Sequence, residues 1–188
     1  MDLKKTKLIL ASASPSRKML LERAEIDFEV KVSGVDENVP AEFTPAQTVE
    51  CLAERKGEAV FKLCPDCTVI SADSIVSIDN MILGKPADDE DAKATLRRLS
   101  GRTHQIFTGV CLLSGKKKEV FHSVTDVTFY ELTDEEIEEY VAMGESRGRA
   151  GSYGIEGKGV ILVQSICGDY SNIVGLPVAE TLRRLKKL

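Results

Sequence analysis

The sequence predicts an α/β fold built on a mixed β-sheet flanked by helices. Short apolar segments alternate with amphipathic helical segments through residue 99, and two long strand-like segments joined by a tight turn follow them. The 188 residues, 43% of them hydrophobic, suffice for one well-packed core. We therefore expect a single domain over residues 1–188, with two lobes around a central cleft as a variant of that arrangement.

The first half of the chain begins with a strand and a capped helix. Residues 7–11 are short and apolar, which is typical of a buried strand. Ser14 suits the N-cap of the following helix, and Pro15 suits its first position because its missing N–H would have no helical partner. Residues 28–32 alternate between apolar and charged and predict a half-exposed strand. After a loop, the capping box "TPAQ" begins a helix over residues 44–63.

Residues 67–72 predict a second buried strand, and we expect Asp73 at its end. A hairpin over residues 74–84 should turn at Asp79-Asn80, and residues 88–99 form an amphipathic helix with acids at its start and arginines at its end. The remaining predicted elements are strands 103–113 and 119–132, a helix 133–143, a glycine-rich loop 144–159, a strand 159–165 and a terminal helix from Pro177.

Composition limits the classes of function. No apolar run approaches the roughly 20 residues that a membrane helix needs, and the charged start followed by a short apolar piece does not resemble a signal peptide. The net charge of −5 argues against a broad nucleic-acid surface. Five cysteines, an odd number, suit a reducing compartment better than a disulfide framework. We expect a cytoplasmic protein with no membrane or nucleic-acid partner.

The turn "SASPSR" offers an anion site. A helix N-terminus presents free N–H groups and a partial positive charge, so it attracts phosphate. Ser12 and Ser14 add hydroxyl donors, and Arg17 adds a guanidinium fork that matches phosphate oxygens. A plain capped turn with solvated side chains is the ordinary alternative.

Four further charged residues could complete a site. Asp73 follows a buried strand, Lys85 follows a hairpin in "GKP", Lys56 lies close to the apolar stripe of its helix, and Glu37 lies in a loop. For Asp73 the alternative is an ordinary turn residue, and for Lys85 and Glu37 it is a solvated side chain. Taken singly, none of the four signals is strong.

Together these motifs match a family. "LASASPSRKMLL", "LAERKGEAV", "SADSIV", "LGKPADDEDA", "LRRLSGRTHQIFTGV" and "AGSYGIEGKG" with "NIVGLP" occur in order. The chain resembles the Maf family of nucleoside triphosphate pyrophosphatases over nearly its whole length. The resemblance implies cleavage between the α and β phosphorus atoms of a nucleoside triphosphate, with a divalent cation (Mg²⁺, Mn²⁺ or Co²⁺) as cofactor. It also implies an elongated, twisted mixed sheet similar to that of inosine triphosphate pyrophosphatases, a homodimer, removal of unwanted nucleotides, and a link to division arrest through septum formation.

The resemblance assigns roles to individual residues. Asp73 stands at the position of the proton acceptor, and Glu37 and Asp73 at those of the metal-holding carboxylates. Lys56 and Lys85 match lysines near the triphosphate. Ser12, Ser14 and Arg17 match the phosphate-holding turn, and Arg149 stands where the family often has lysine. We expect these distant segments to converge on one pocket.

Three positions bear on the base. Members that hydrolyse dTTP and UTP usually carry arginine, threonine and glutamine where this chain has Ser16, Ser74 and Glu156. The group acting on 7-methylguanosine triphosphate typically carries tryptophan, glutamine and glutamate there. An ionised glutamate only accepts hydrogen bonds, so a Glu156 that faces the base would repel pyrimidine carbonyls and favour guanine, whereas a Glu156 that points away has no bearing on the base. A dTTP/UTP-type enzyme is our main prediction. A 7-methyl-GTP-type enzyme and a non-catalytic, nucleotide-binding regulator of septum formation are the alternatives.

Two further signals are weak. "CPDC" at residues 64–67 has redox or zinc spacing, but it leads into a strand and has no second pair, so we interpret it as structural. His104 and His122 lie on strand-like segments without paired spacing, and we interpret both as structural too.

Overall fold

The computed structural model describes residues 7–188, which form a seven-stranded mixed sheet with flanking helices. This confirms the predicted fold class. The strands are β1 (Leu8–Leu10), β2 (Glu29–Val30), β3 (Thr68–Ile78), β4 (Met81–Leu83), β5 (Thr103–Ser114), β6 (Lys117–Phe129) and β7 (Val163–Cys167). The helices are α1 (Pro15–Arg23), α2 (Pro45–Leu63), α3 (Asp89–Leu99), α4 (Asp134–Ala142), α5 (Tyr170–Val174) and α6 (Val178–Leu185), with short 3-10 helices at Ala150–Ser152 and Lys158–Leu162.

The sheet has the strand order β2-β1-β3-β5-β6-β7, with β4 paired to β3. β1 runs parallel to both β2 and β3, so the connections between these strands cross over through α1 and α2. β4 is antiparallel to β3, and β7 is antiparallel to β6. The parallel pairs of β1 thus involve residues 8–70, and the antiparallel β3–β4 hairpin follows them directly.

The described residues divide into two compact units. Unit 1 holds residues 7–74, 108–123 and 175–188, and unit 2 holds residues 75–107 and 124–174. In unit 1, the core joins strand and α2 side chains, which are Ile9, Ala11, Ala53, Val60, Val69, Cys111 and Leu113. In unit 2, a buried aromatic cluster joins His104, Phe129 and Tyr153, whose rings meet edge to face with centroids 4.8 to 5.5 Å apart.

Glycines allow α2 to lie close to the strands of unit 1. A Cβ on Gly57 would stand 2.6 Å from Ser71 Oγ, and a Cβ on Gly109 of β5 would overlap the backbone of Val49 in α2. Because the helix backbone comes this near, the side chains on its inner face reach the strands directly. This approach holds Lys56 of α2 against β3.

Several details differ from the sequence prediction. β3 does not end before Asp73 but continues to Ile78, because the buried run after Asp73 pairs with β4 in the hairpin. β6 ends at Phe129, three residues early. The strand expected over 159–165 begins only at Val163, since the preceding residues Lys158–Leu162 form a 3-10 helix. The short helix α5 was not predicted.

Within residues 7–188, every helix is too short or too polar to cross a lipid bilayer.

Candidate functional site

The turn between β1 and α1 is built as the sequence predicts. Pro15 occupies the start of α1, and Ser14 is its N-cap, with Oγ accepting a hydrogen bond from the Arg17 backbone N–H at 3.4 Å. Ser12 Oγ accepts from the Ser14 backbone N–H at 3.2 Å. A serine hydroxyl accepts and donates at once, so both hydroxyls stabilise the turn and still carry a proton that they can donate.

Arg17 points into the protein and is only 9% exposed. Its guanidinium donates from Nη1 to Ser12 Oγ at 3.1 Å, from Nη2 to Ser74 Oγ at 2.9 Å, and from Nε to the Gly175 carbonyl at 2.7 Å. Burial lowers the pKa of Arg17, while the charges of Asp73 and Glu37 oppose that shift. Guanidinium groups stay protonated in proteins, so Arg17 is a buried cation whose three hydrogen-bond acceptors are neutral.

Ser74 links Arg17 to the interior of unit 1. Its Oγ lies 2.8 Å from Thr108 Oγ1 on β5, and Thr108 is fully buried. Because Arg17 donates to the Ser74 oxygen, the Ser74 proton is available for Thr108. Ser74 therefore fixes the orientation of the Arg17 guanidinium, a role that the family resemblance did not suggest for it.

Lys56 connects two carboxylates. Its Nζ lies 2.6 Å from Asp73 Oδ1 and 2.6 Å from Glu37 Oε1. The side chains of Lys56 and Asp73 are each 13% exposed, whereas that of Glu37 is 63% exposed. Charges at such short range interact more strongly in this half-buried setting than in water. Lys56 therefore holds the Asp73 carboxylate in place through its Oδ1 atom and brings Glu37 to the same ammonium group.

A divalent cation fits this donor set only with help from another ligand. Among residues 7–188 there is no group of three or more His, Cys, Asp or Glu side chains placed to hold a metal ion. Asp73 and Glu37 supply two carboxylates that approach the same ammonium group. Mg²⁺ is commonly held by one or two carboxylates plus substrate phosphates and water, so the pair suits a cation that arrives with a triphosphate.

Three predicted site residues belong to unit 2. Lys85 is exposed just after β4, where it lines a cavity together with Asp91, Thr95 and Arg98. Arg149 Nη1 donates to Glu156 Oε1 at 2.8 Å, and both side chains are half-buried. Burial opposes the charge on Arg149, but the Glu156 carboxylate outweighs this and raises the pKa of Arg149.

The structure thus connects most of the predicted residues in unit 1. Hydrogen bonds and one peptide link join Ser14, Ser12, Arg17, Ser74, Asp73, Lys56 and Glu37 in a single chain of contacts. Ser16 lies half-buried in the first turn of α1.

Sequence reasoning missed two members of this network, Thr108 and Gly175. A lone hydroxyl in the apolar segment "QIFTGV" was the available signal for Thr108. The Gly175 contact uses a backbone carbonyl, which no residue type signals.

Comparisons with known proteins agree with the predicted family. The family model described as "Maf-like protein" matches residues 7–188. The dTTP/UTP pyrophosphatase of Bacillus cytotoxicus is 51% identical over 181 residues, covering 96% of this chain and 95% of the relative. Those of Bacillus mycoides and Bacillus pumilus are 50% and 48% identical, with 95% of each relative covered. The solved structure of the Staphylococcus aureus Ham1 protein aligns with a TM-score of 0.46 and 18% identity, over 66% of this chain and 72% of that one.

Proposed function

The chain belongs to the Maf family, and from this premise we propose that it is a nucleoside triphosphate pyrophosphatase whose substrates are dTTP and UTP. The identity of about half the residues to relatives named for that activity supports the proposal. The observation that carries it in the structure is the Lys56 ammonium between Asp73 and Glu37, linked through Ser74 to a buried arginine. This arrangement provides a proton acceptor and cations for a polyanion.

In the proposed reaction a water oxygen attacks the α-phosphorus and the bond to the bridging oxygen of pyrophosphate breaks. Lys56 occupies Asp73 Oδ1, so we assign the water's proton to Asp73 Oδ2. Negative charge grows on the phosphoryl oxygens during displacement, and fixed cations stabilise it without reorganisation. Lys56 and Arg17 carry such charges in unit 1, and the hydroxyls of Ser12 and Ser14 supply phosphate donors.

Glu37 and Asp73 would hold the divalent cation, which when bound neutralises phosphate charge and polarises the phosphoryl group. We propose that this cation is Mg²⁺, Mn²⁺ or Co²⁺.

The roles of Lys85, Arg149 and Glu156 remain predictions from the family motifs. The Arg149–Glu156 ion pair nevertheless bears on which nucleotide base the enzyme prefers. A carboxylate that already accepts from a guanidinium repels a pyrimidine carbonyl less than an unpaired one, and the arginine adds N–H donors beside it. This observation supports pyrimidine substrates over 7-methyl-GTP, although Glu156 is the residue that the 7-methyl-GTP group carries.

The family resemblance also motivates proposals about context. We propose that the enzyme removes modified nucleotides, works in the cytoplasm as a homodimer, and affects septum formation. A regulator that binds nucleotide without turning it over is the competing function, and the two differ in a simple measurement.

Pyrophosphate release is measured with dTTP, UTP, CTP, GTP and 7-methyl-GTP in the presence of Mg²⁺ or Mn²⁺. We expect one pyrophosphate per nucleotide consumed and the highest kcat/KM with dTTP and UTP. A preference for 7-methyl-GTP would refute the assignment of the base. Binding without pyrophosphate release across the panel would refute the enzyme and support the regulator.

A further inference from the structure

The segment "CPDC" joins α2 to β3 and places two thiols in one tight turn. The Cys67 backbone N–H donates to the Cys64 carbonyl at 3.1 Å, which closes a four-residue turn. The end residues of a β-turn have Cα atoms within about 7 Å, and disulfides span about 4.4–6.8 Å between Cα atoms. Both side chains also pack against the hydrophobic core of unit 1. The backbone is therefore already arranged for a bond between these sulfurs.

The ammonium group of Lys31 contacts one of the two sulfurs. Lys31 Nζ donates to Cys64 Sγ at 3.2 Å. Lys31 follows β2, and its backbone N–H donates to the Leu10 carbonyl at 3.1 Å, so its position is fixed by the sheet. A neighbouring ammonium stabilises negative charge on sulfur, and thiolate is the nucleophilic form of cysteine. Cys64 is thereby singled out as the attacking thiol.

Cys67 has the properties of the second thiol of such a pair. Burial is the main cause that raises the pKa of Cys67, so its sulfur holds its proton. Cys64 and Cys67 are both half-buried at the margin of the unit 1 core, within reach of a small reagent. Cys111, in contrast, is fully buried, and burial raises its pKa to about 12.

We propose that Cys64 and Cys67 form a redox-active dithiol that hydrogen peroxide oxidises reversibly to an intramolecular disulfide, with Lys31 promoting the first step. The Cys64 thiolate attacks one peroxide oxygen, the O–O bond breaks, and the departing hydroxide takes a proton, giving a sulfenic acid and water. Cys67 then attacks the Cys64 sulfur and its proton leaves with the hydroxyl as a second water. Two thiols and one peroxide thus give one disulfide and two waters, and a dithiol reductant reverses the change.

The site is independent of the nucleotide chemistry. The turn joins the helix that carries Lys56 to the strand that carries Asp73, but neither side chain takes part in the oxidation. Measurements on the thiols therefore test the proposal independently of the substrate of the enzyme.

The first experiment follows peroxide oxidation of the full chain by differential alkylation and peptide mass spectrometry. We compare the unmodified protein with Lys31→Gln and with Lys62→Gln, an exposed lysine on α2 that serves as the matched control. We expect the peptide containing residues 64–67 to lose two hydrogens before Cys167 is modified. Lys31→Gln should slow that loss about threefold or more, because it removes the ammonium group that contacts Cys64 Sγ. Lys62→Gln should match the unmodified protein.

The second experiment identifies the attacking sulfur with dimedone, a reagent for sulfenic acids. In Cys67→Ser we expect peroxide-dependent labelling of Cys64, and in Cys64→Ser we expect Cys67 to stay unlabelled. Oxidation of Cys64 and Cys67 no faster than that of Cys167, equal rates with and without the Lys31 charge, or labelling confined to Cys67 would each overturn the proposal.

Discussion

A buried histidine should make the protein acid-sensitive. His104 is 1% exposed between Phe129 and Tyr153, and its Nε2 lies 2.8 Å from the Tyr153 hydroxyl. Its Nδ1 has no hydrogen-bond partner within the described part of the chain. Because burial disfavours the imidazolium, it lowers the pKa of His104 from 6.5 to about 4. The folded state thus binds a proton at His104 less readily than the unfolded state.

The sign and size of the effect follow from this difference. The stability due to neutral His104 is fully present above pH 6.5 and is lost as the pH falls toward 4, because only the unfolded state gains the proton in that range. The full loss corresponds to about 3.4 kcal/mol, and about 2 kcal/mol of it is lost by pH 5. That is a large share of the roughly 5–15 kcal/mol that holds a domain folded.

Urea unfolding at pH 7.5 and pH 5 measures this loss. His104→Gln keeps a polar group near Tyr153 but does not titrate, so we expect its stability to change with pH by about 2 kcal/mol less than that of the unmodified protein. His122→Gln, which removes the other histidine, should retain the His104 contribution. Equal pH dependence in the unmodified protein and His104→Gln would refute the reasoning.

Three further predictions concern packing and the site. Gly109→Ala should lower the free energy of unfolding by about 1–3 kcal/mol or more, because the new Cβ meets the Val49 backbone; urea unfolding measures it. Ser74→Ala should cost about 1–3 kcal/mol in the same assay, because it removes an acceptor from the buried Arg17 guanidinium. Lys85→Ala should lower kcat on the order of 10²- to 10³-fold in a pyrophosphate-release assay, as for loss of one transition-state donor.

Each of these predictions has a matched control. Gly84→Ala introduces a Cβ with no atom within 4 Å, so it should leave stability unchanged, and a similar loss in both glycine variants would contradict the packing argument. Ser74→Thr keeps the hydroxyl and should be more stable than Ser74→Ala; if the two lose stability equally, the hydrogen bond to Arg17 is not the cause. Lys158→Ala removes another exposed lysine of unit 2 and should retain kcat. An effect of Lys85→Ala on KM alone would indicate uniform binding instead.

Local signals predicted most of the fold. The capping box at Thr44 and the N-cap at Ser14 lie at helix starts that the structure shows, because capping satisfies backbone donors through side chains only three residues away. The predicted end of β3 was wrong because the prediction used only a local signal. A charged residue suggested the end of the strand, but Lys56 from α2 compensates Asp73 and the strand continues.

Parts of the site could not be predicted from sequence. The sequence motif predicts Arg17 as a phosphate ligand, but it does not predict that the guanidinium also donates to Ser12, Ser74 and a backbone carbonyl. Which acceptors surround a side chain depends on contacts between residues up to 158 positions apart, and no local pattern encodes such pairs. The contact between Lys31 and Cys64 in the "CPDC" motif also joins residues that are distant in the sequence, so it could not be predicted either.

The central claim is that Asp73, held by Lys56, accepts the proton of the attacking water. The most direct test is kcat for pyrophosphate release from dTTP by Asp73→Asn, beside Asp79→Asn, which changes an exposed aspartate of the same hairpin. We predict that Asp73→Asn lowers kcat by about 10²- to 10⁴-fold while the far-UV circular dichroism spectrum is retained, and that Asp79→Asn stays near the unmodified rate. A folded Asp73→Asn variant with a kcat close to that of the unmodified protein would contradict the account.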